Sequence, residues 1–516
     1  MLAVVLSHAP LGIQGEVVSV EVDLRRGLPG IDVVGLPDGA VREAKERVRV
    51  AIRNSGFKFP ADRILVNLAP AGIKKIGASF DLPIALGVLG AAGQVSLPRD
   101  AVPMILGELN LSGGVRPVRG VLSAVGAGLR RGIKDFFVPK ENHVEACALN
   151  EGRIWGVASL REAVQRMAEI ERGSAHCARF EGHPAPEHGL EETLGDMADI
   201  RGHELLKRAL EIAAAGRHNL FLFGPPGSGK TMAAKRLATL LPPLEREEAL
   251  AVTQIHSIAG LLPRDMGLLR HRPFRMPHHS ASGEGLIGGG RWVVPGEVSL
   301  AHAGVLFLDE APEFRQNLLQ SLREPVEEGQ VNVVRVGRSV RYPADFQLVM
   351  ASNSCPCGNL GRPDRACVCS SHEVQCYWKR MGSALLDRID IRVPVKPVSI
   401  EEMLGRKGES SRQIRDRAEG AFRIQRERFR GLSYRWNSRI PPGKIMDFCS
   451  LSPDASGALT RAVSRLSLSS RACHSILKVG RTIADLKGSD EILKEHILEA
   501  VQHRRFGEED PFWECS

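Results

Sequence analysis

Residues 219–231 read Asn-Leu-Phe-Leu-Phe-Gly-Pro-Pro-Gly-Ser-Gly-Lys-Thr, and the final eight fit the phosphate-loop pattern G-x-x-x-x-G-K-[ST] with no mismatch. Leu220, Phe221, Leu222 and Phe223 form a short apolar run of the kind that becomes a buried parallel strand. Gly224, Gly227 and Gly229 then allow a tight turn in which successive backbone N–H groups converge on phosphate oxygens. Pro225, Pro226 and Ser228 complete the loop. Lys230 is expected to reach the β- and γ-phosphates, and the Thr231 hydroxyl to hold Mg²⁺. The alanine-rich helical stretch 232–241 adds the positive end of its dipole. Together these residues predict a nucleoside triphosphate site.

A phosphate loop alone does not hydrolyse its ligand, so the rest of the chain must supply metal binding, water and charge compensation. Gly304-Val-Leu-Phe-Leu-Asp-Glu310 is an apolar strand ending in two carboxylates. Asp309 is placed to bind Mg²⁺ through water, and Glu310 to act as general base on the attacking water. The plainer alternative is a strand followed by a helix-capping Asp. Phe346-Gln-Leu-Val-Met-Ala-Ser-Asn353 ends in Asn353, a side chain suited to orienting water or touching the γ-phosphate, or merely to starting a turn. Leu385-Leu-Asp-Arg-Ile-Asp390 sets Arg388 between Asp387 and Asp390, which locally reads as a surface ion pair of little worth.

Outward from these motifs the chain divides into parts. Residues 1–167 alternate strand-like runs at 17–24, 31–34 and 64–68 with helix-like runs at 40–55 and 82–92, an α+β pattern. Residues 168–195, containing Glu181-Gly-His-Pro-Ala-Pro-Glu-His-Gly, read as a linker. Residues 196–395 read as an α/β phosphate-loop core with strands at 219–223, 304–308 and 346–351 in a parallel sheet. Residues 396–516 carry charged helical periodicity and read as a helical lid. The basic run 406–430, interrupted by Glu409, Asp416, Glu419 and Glu427, predicts a solvated helix face with i,i+4 pairs.

The length of 516 residues suits two or three domains, and a net charge of +9 with a pI near 9.1 points to an anionic partner. An aromatic content of 5% argues against base-stacking platforms. No signal-peptide order and no run of about 18 apolar residues appears, so a cytoplasmic protein without a membrane partner is expected. Ten cysteines in that setting are expected to be free or metal-bound.

Taken together the motifs resemble an AAA+ ATPase, within it the magnesium-chelatase-like proteins of the ComM/YifB group. The resemblance is carried by Arg272-Pro-Phe-Arg-Met-Pro-His-His-Ser-Ala-Ser282, Gly296-Glu-Val-Ser-Leu-Ala-His302, Cys355-Pro-Cys-Gly358, Asp199-Ile-Arg-Gly202 and Arg208-Ala-Leu-Glu-Ile-Ala-Ala-Ala215. It is dense over 199–390 and looser over nearly the whole chain. His203, in place of an expected Gln, and Met276 and Ser280 depart from the pattern, whereas His278 and His279 keep it. The resemblance implies ATP with Mg²⁺, Walker A at 224–231, Walker B at 305–310 and sensor 1 at Asn353. It further implies Arg388 as an arginine finger donated to a neighbouring subunit, worth on the order of 10³–10⁵ in rate. Ser470-Arg-Ala-Cys-His-Ser-Ile-Leu-Lys478 supplies Arg471 as sensor 2, with Arg481 as the alternative.

Residues 329–343 read as a β-hairpin turning at Gly337, with Arg335, Arg338 and Arg341 at and beside its tip. Related ring ATPases use such a hairpin to contact DNA backbone in the pore, and Arg–phosphate contacts carry no sequence preference. A solvated hairpin with charged edges is the alternative. Cys355, Cys357, Cys367 and Cys369 suit a structural tetrahedral Zn²⁺, with Cys376 or His372 as a replacement for one ligand and free thiols as the alternative.

Lys75-Ile-Gly-Ala-Ser-Phe-Asp-Leu-Pro-Ile-Ala85 resembles a Lon-protease-type domain, with Ser79 at the nucleophile position. The register that should supply its lysine offers Leu122 and Ser123 instead. Without that base Ser79 is expected to be structural, capping the helix at Asp81. The resemblance as a whole implies a hexameric DNA helicase driving branch migration in natural transformation or recombination. A chelatase-type motor or a chaperone-like remodeller of a protein partner is the competing reading.

Overall fold

Valine alternating with polar residues builds the first sheet. In strand Glu16–Arg25, Val18, Val20 and Val22 are fully buried, while Ser19, Glu21 and Asp23 between them lie on the wetter face. The computed structural model describes residues 2–98, 102–172, 194–263, 266–290, 293–335, 338–404 and 408–504. Within them the first sheet has seven strands, in the order Gly30–Val34, Arg63–Ala69, Glu16–Arg25, Leu2–Ala9, Met104–Ile105, Asp135–Pro139 and Arg153–Val157. Helix Asp81–Ala91 lies almost wholly buried against it, with Gly87 where a Cβ would come 2.6 Å from Val22. Only glycine permits that approach.

The second sheet is parallel throughout, in the order Phe274–Arg275, Val305–Leu308, Gln347–Ser352, Leu220–Phe223, Ile391–Pro394. Its three central strands are uniformly apolar or buried because both faces are covered. One face packs under helices Glu204–Gly216 and Lys230–Leu240, which share a single core with the C-terminal helices Ser411–Arg428, Pro453–Arg465, Ser470–Leu486 and Lys494–Arg504. The other face packs against Leu286, Leu318, Leu322 and the inner side of the hairpin. The two sheet units meet at a buried carboxylate. Ser257 Oγ donates to Glu145 Oε1 at 2.5 Å and accepts from the Gly120 N–H at 3.0 Å.

The sequence pattern missed the strands Leu2–Ala9, Asp135–Pro139, Arg153–Val157 and Ile391–Pro394. Helix Leu160–Glu171 runs past residue 168, and residues 173–193 of the expected linker lie outside the described residues. No helix among the described residues is long and apolar enough to cross a membrane. Within the basic run Arg430 pairs locally with Glu427 at 3.5 Å, and several arginines reach further. Arg417 bonds Glu211 at 2.5 Å and Glu409 at 2.7 Å, Arg426 bonds Glu245 at 3.0 Å, and Arg428 bonds Asp485 at 2.5 Å. Glu211 and Asp485 are buried carboxylates, and an unpaired buried charge is costly, so they draw cations across the interface.

Asp485 holds Arg428, Arg481 and Asn437 together inside the C-terminal helices. Asp485→Ala should leave two arginines without their counter-ion and cost about 3–5 kcal/mol. The loss should appear as a lowered midpoint in thermal or urea denaturation.

Candidate functional site

The phosphate loop leaves the strand Leu220–Phe223 under tight steric control. A Cβ at Gly224 would lie 2.1 Å from the Val395 carbonyl oxygen, and Gly227 and Gly229 adopt φ of +79° and +90°. Lys230 begins the helix Lys230–Leu240. Its Nζ donates to the carbonyls of Gly224 and Pro225, both at 2.8 Å, and to Asn353 Oδ1 at 3.3 Å. The Thr231 hydroxyl donates to Asp309 Oδ2 at 2.7 Å. Asp309 also accepts the Glu310 N–H at 3.0 Å, and Glu310 sits at a φ of +50°, a left-handed conformation costly for a side chain with a Cβ.

Parallel pairing explains why these groups converge. Phe223 lies opposite Ser352 and Leu308 opposite Met350, so Gly224, Asp309 and Asn353 all follow strand ends on one edge of the sheet. The edge also gathers a group that sequence reasoning left without a role. His279 Nδ1 lies 4.0 Å from Glu310 Oε2, and its ring is tilted 34° to that of His278 with centroids 4.1 Å apart. The signal was present in the quoted His-His motif. Strand Phe274–Arg275, parallel to Val305–Leu308, delivers it.

The residues present fit a nucleoside triphosphate with Mg²⁺. Ser228 Oγ is buried with no partner among the described residues, and Thr231 and Asp309 offer adjacent hard oxygen ligands. Burial pushes the Lys230 ammonium down to about 8, with Asp309 and Glu310 opposing the shift.

Arg388 and Arg471 stand elsewhere. Arg388 Nη2 bonds Glu327 at 2.8 Å, Arg471 bonds the other oxygen of the same carboxylate, and Asp387 and Asp390 play no part in the pairing. Asp390 instead bonds Ser475 at 2.6 Å and His218 at 3.3 Å. Arg481, the alternative to Arg471, is buried and bonds Asp485, Asp490 O and Ser489 O.

The hairpin pairs Gln330–Arg335 with Arg338–Pro343 antiparallel, Arg335 opposite Arg338. The turn at Gly337 lies outside the described residues. Val331, Val333, Val340 and Tyr342 are buried, and Arg341 is exposed with its Nε donating to Asn332 at 3.3 Å.

The four cysteines also converge. Cys355, Cys357, Cys367 and Cys369 bring their sulfurs within 4.8 Å of one another, with pairs at 3.4, 3.6 and 3.7 Å. A tetrahedral Zn²⁺ with bonds of about 2.3 Å needs sulfurs about 3.8 Å apart, so the donor set fits. A backbone hydrogen bond from Asn359 brings the Cys357 thiol down to about 6, while burial pushes Cys355 up to about 11. Cys376 lies apart from the four, beside His372 at 3.7 Å. Gly358, inside the cysteine loop, packs so closely that a Cβ there would meet Pro226 of the phosphate loop at 3.1 Å.

Ser79 does not cap the helix at Asp81. That helix starts without a side-chain cap, and Asp81 is held by Arg47 at 2.8 Å and by the Leu109 N–H at 3.3 Å. Burial makes a paired arginine a stronger requirement for Asp81 than a cap. Ser79 lines a cavity of about 1050 Å³ between the first sheet unit and the hairpin, with Arg42, Lys74, Glu108 and Tyr342. Leu122 and Ser123 are both buried.

With the geometry in place, comparison with known proteins is direct. The magnesium chelatase subunit ChlI family matches residues 196–403, its subunit ChlI domain residues 20–142 and its C-terminal domain residues 408–504. The protein YifB of Salmonella typhimurium is 40% identical over 514 residues, 98% of this chain and 97% of its own. Competence protein ComM of Haemophilus influenzae is 40% identical over 517 residues, with 98% and 97% covered. The chain belongs to the ComM/YifB group of the magnesium-chelatase family. A partial similarity to the Lon protease of Geobacter metallireducens, 27% identical over 144 residues, covers 27% of this chain and 17% of the protease. The family core is AAA+ ATPase-like and supports ATPase activity, as the phosphate-loop geometry does.

A lysine depressed to about 8 must regain its proton to pair with phosphate. ATP affinity should therefore fall as pH rises from 7 to 9.5, by up to about tenfold per unit above 8. Calorimetry in buffers of different ionisation heat should show proton uptake on binding near pH 8.5. Affinity flat across that range would show that Lys230 stays charged.

Proposed function

We propose that this chain is a ring-forming, hexameric ATP-driven motor that acts on DNA without sequence preference. Its parts are an N-terminal Lon-like domain at 1–167, a linker at 168–195, an AAA+ core at 196–395 and a helical lid at 396–516. Glu310 is the general base for the attacking water, held at the sheet edge by the strand Val305–Leu308. Asn353 and Lys230 orient the γ-phosphate, and the loop 224–231 binds the triphosphate. Thr231 and Asp309 hold Mg²⁺, which when bound neutralises charge developing on the phosphates.

One observation carries the ring. Arg388 and Arg471 share Glu327 rather than bonding any residue of the phosphate loop in their own chain. The electrostatic help that phosphoryl transfer requires is then best supplied to a neighbouring protomer. The paired arginines Arg335 and Arg338, with Arg341 beside them, favour a phosphate backbone as the substrate of motion. The kinship with competence protein ComM supports a role in competence or recombination, and we read that role as branch migration of DNA in the cytoplasm. The cysteine cluster is a structural Zn²⁺ clip on the loop between Asn353 and Arg388.

Four measurements test this. Glu310→Gln should bind ATP and retain it unhydrolysed. Arg388→Ala should assemble without turning over, and mixing it with Lys230→Ala should restore part of the activity. Full turnover by Arg388→Ala alone would sink the shared-site ring. Branched or single-stranded DNA should stimulate hydrolysis, and replacing Arg335, Arg338 and Arg341 by Ala should flatten the salt dependence of binding by up to about one log–log unit per arginine. Metal analysis should find zinc at one ion per chain, lost in Cys355→Ser.

A further inference from the structure

Glu327 is the meeting point of two arginines that the proposed ATPase needs free. Arg388 is 13% exposed, with Nη2 on Glu327 Oε2 at 2.8 Å, Nη1 on the Ala384 carbonyl and Nε buried with no partner among the described residues. A guanidinium that is covered and engaged in this way presents no open fork to a phosphate on another chain. Arg471 occupies Glu327 Oε1, so one carboxylate engages both groups.

The position of Glu327 in the chain links it to the hairpin. It lies in the last turn of helix Arg323–Glu328, which ends at Gly329 with φ of +67° and passes directly into strand Gln330–Arg335. Both legs of the hairpin are tied to that turn. The Ala344 N–H donates to Gly329 O at 2.8 Å, and Arg439 of the C-terminal region donates to Val326 O at 2.5 Å while also bonding Asp345. Arg217 holds Asp345 from the core at 3.1 Å. Arg388 instead follows the short helix Ser383–Leu386, a separate segment whose Leu385 shares an apolar cluster with Val326, so a shift of the hairpin base changes the distance between Glu327 and Arg388 across that packing.

Building on the ring-ATPase reading, we propose that Glu327 is a restraint that parks Arg388 and Arg471 within their own chain until the hairpin engages nucleic acid. Load on the hairpin withdraws the carboxylate, and both guanidiniums become available to the neighbouring nucleotide. The restraint is weak enough to be reversible. Glu327 and Arg471 are 43% and 44% exposed, and solvent-screened pairs of that kind shift an equilibrium by about two- to fivefold.

Glu327→Gln keeps the shape and removes the charge. Its DNA-free ATPase should rise about two- to fivefold, its rate at saturating DNA should match wild type, and DNA stimulation should shrink by the same factor. The double variant Glu327→Gln with Arg388→Ala should lose the gain, because the gain acts through Arg388. Unchanged DNA-free turnover in a Glu327→Gln protein of wild-type melting temperature overturns the restraint. Equal loss with and without DNA also overturns it, because Glu327 would then position the arginines for catalysis. If DNA has no effect on the wild type while Glu327→Gln still runs faster, the restraint stands and the DNA reading fails. Glu327→Ala, scored in the same assays, must follow Glu327→Gln for the effect to be one of charge.

Discussion

Parallel pairing of three apolar strands fixes where the chemistry can occur. Leu220–Phe223 lies between Gln347–Ser352 and Ile391–Pro394, with Val305–Leu308 one strand further out. A parallel sheet aligns the carboxyl ends of its strands, so each polar residue that follows a strand arrives at the same edge. Lys230, Thr231, Asp309, Glu310 and Asn353 come together for that reason, although they are spread widely along the chain. The helices on both faces keep the strands dry and therefore in register.

The parts of this arrangement that the sequence announced are those with local signatures. The phosphate loop is specified by glycines whose conformations no other residue tolerates well, and the central strands by unbroken apolar runs. The hairpin was legible because apolar residues alternate on both of its legs, Val331 and Val333 on one and Val340 and Tyr342 on the other. The strand Ile391–Pro394 escaped because it is a short edge strand whose Arg392 and terminal proline break the apolar run. The shared carboxylate of Glu327 had no local signal, since its partner Arg471 is 144 positions away. The partners of Arg417 and Arg428 were hidden for a related reason. Spacing along one helix suggests neighbours on that helix, but buried carboxylates on other helices outbid them.

The two sheet units are fastened by different means. Around Glu145 the joint is polar and fully satisfied, with Leu122, Ser257 and Asn142 all donating to one carboxylate. Near the hairpin it is apolar, with Leu11 and Ile13 of the first unit packed beside the core that contains Val331 and Tyr342. A satisfied buried carboxylate fixes position, whereas an apolar contact tolerates sliding. The hairpin is thus attached at the more permissive of the two joints.

The packing of Gly358 against Pro226 makes the cysteine loop a wall of the nucleotide cradle. The loop that carries Cys355, Cys357, Cys367 and Cys369 is therefore in direct contact with residue 226 of 224–231. Movement of those four cysteines reaches the phosphate loop by a short path, because Gly358 has no room to shift toward Pro226.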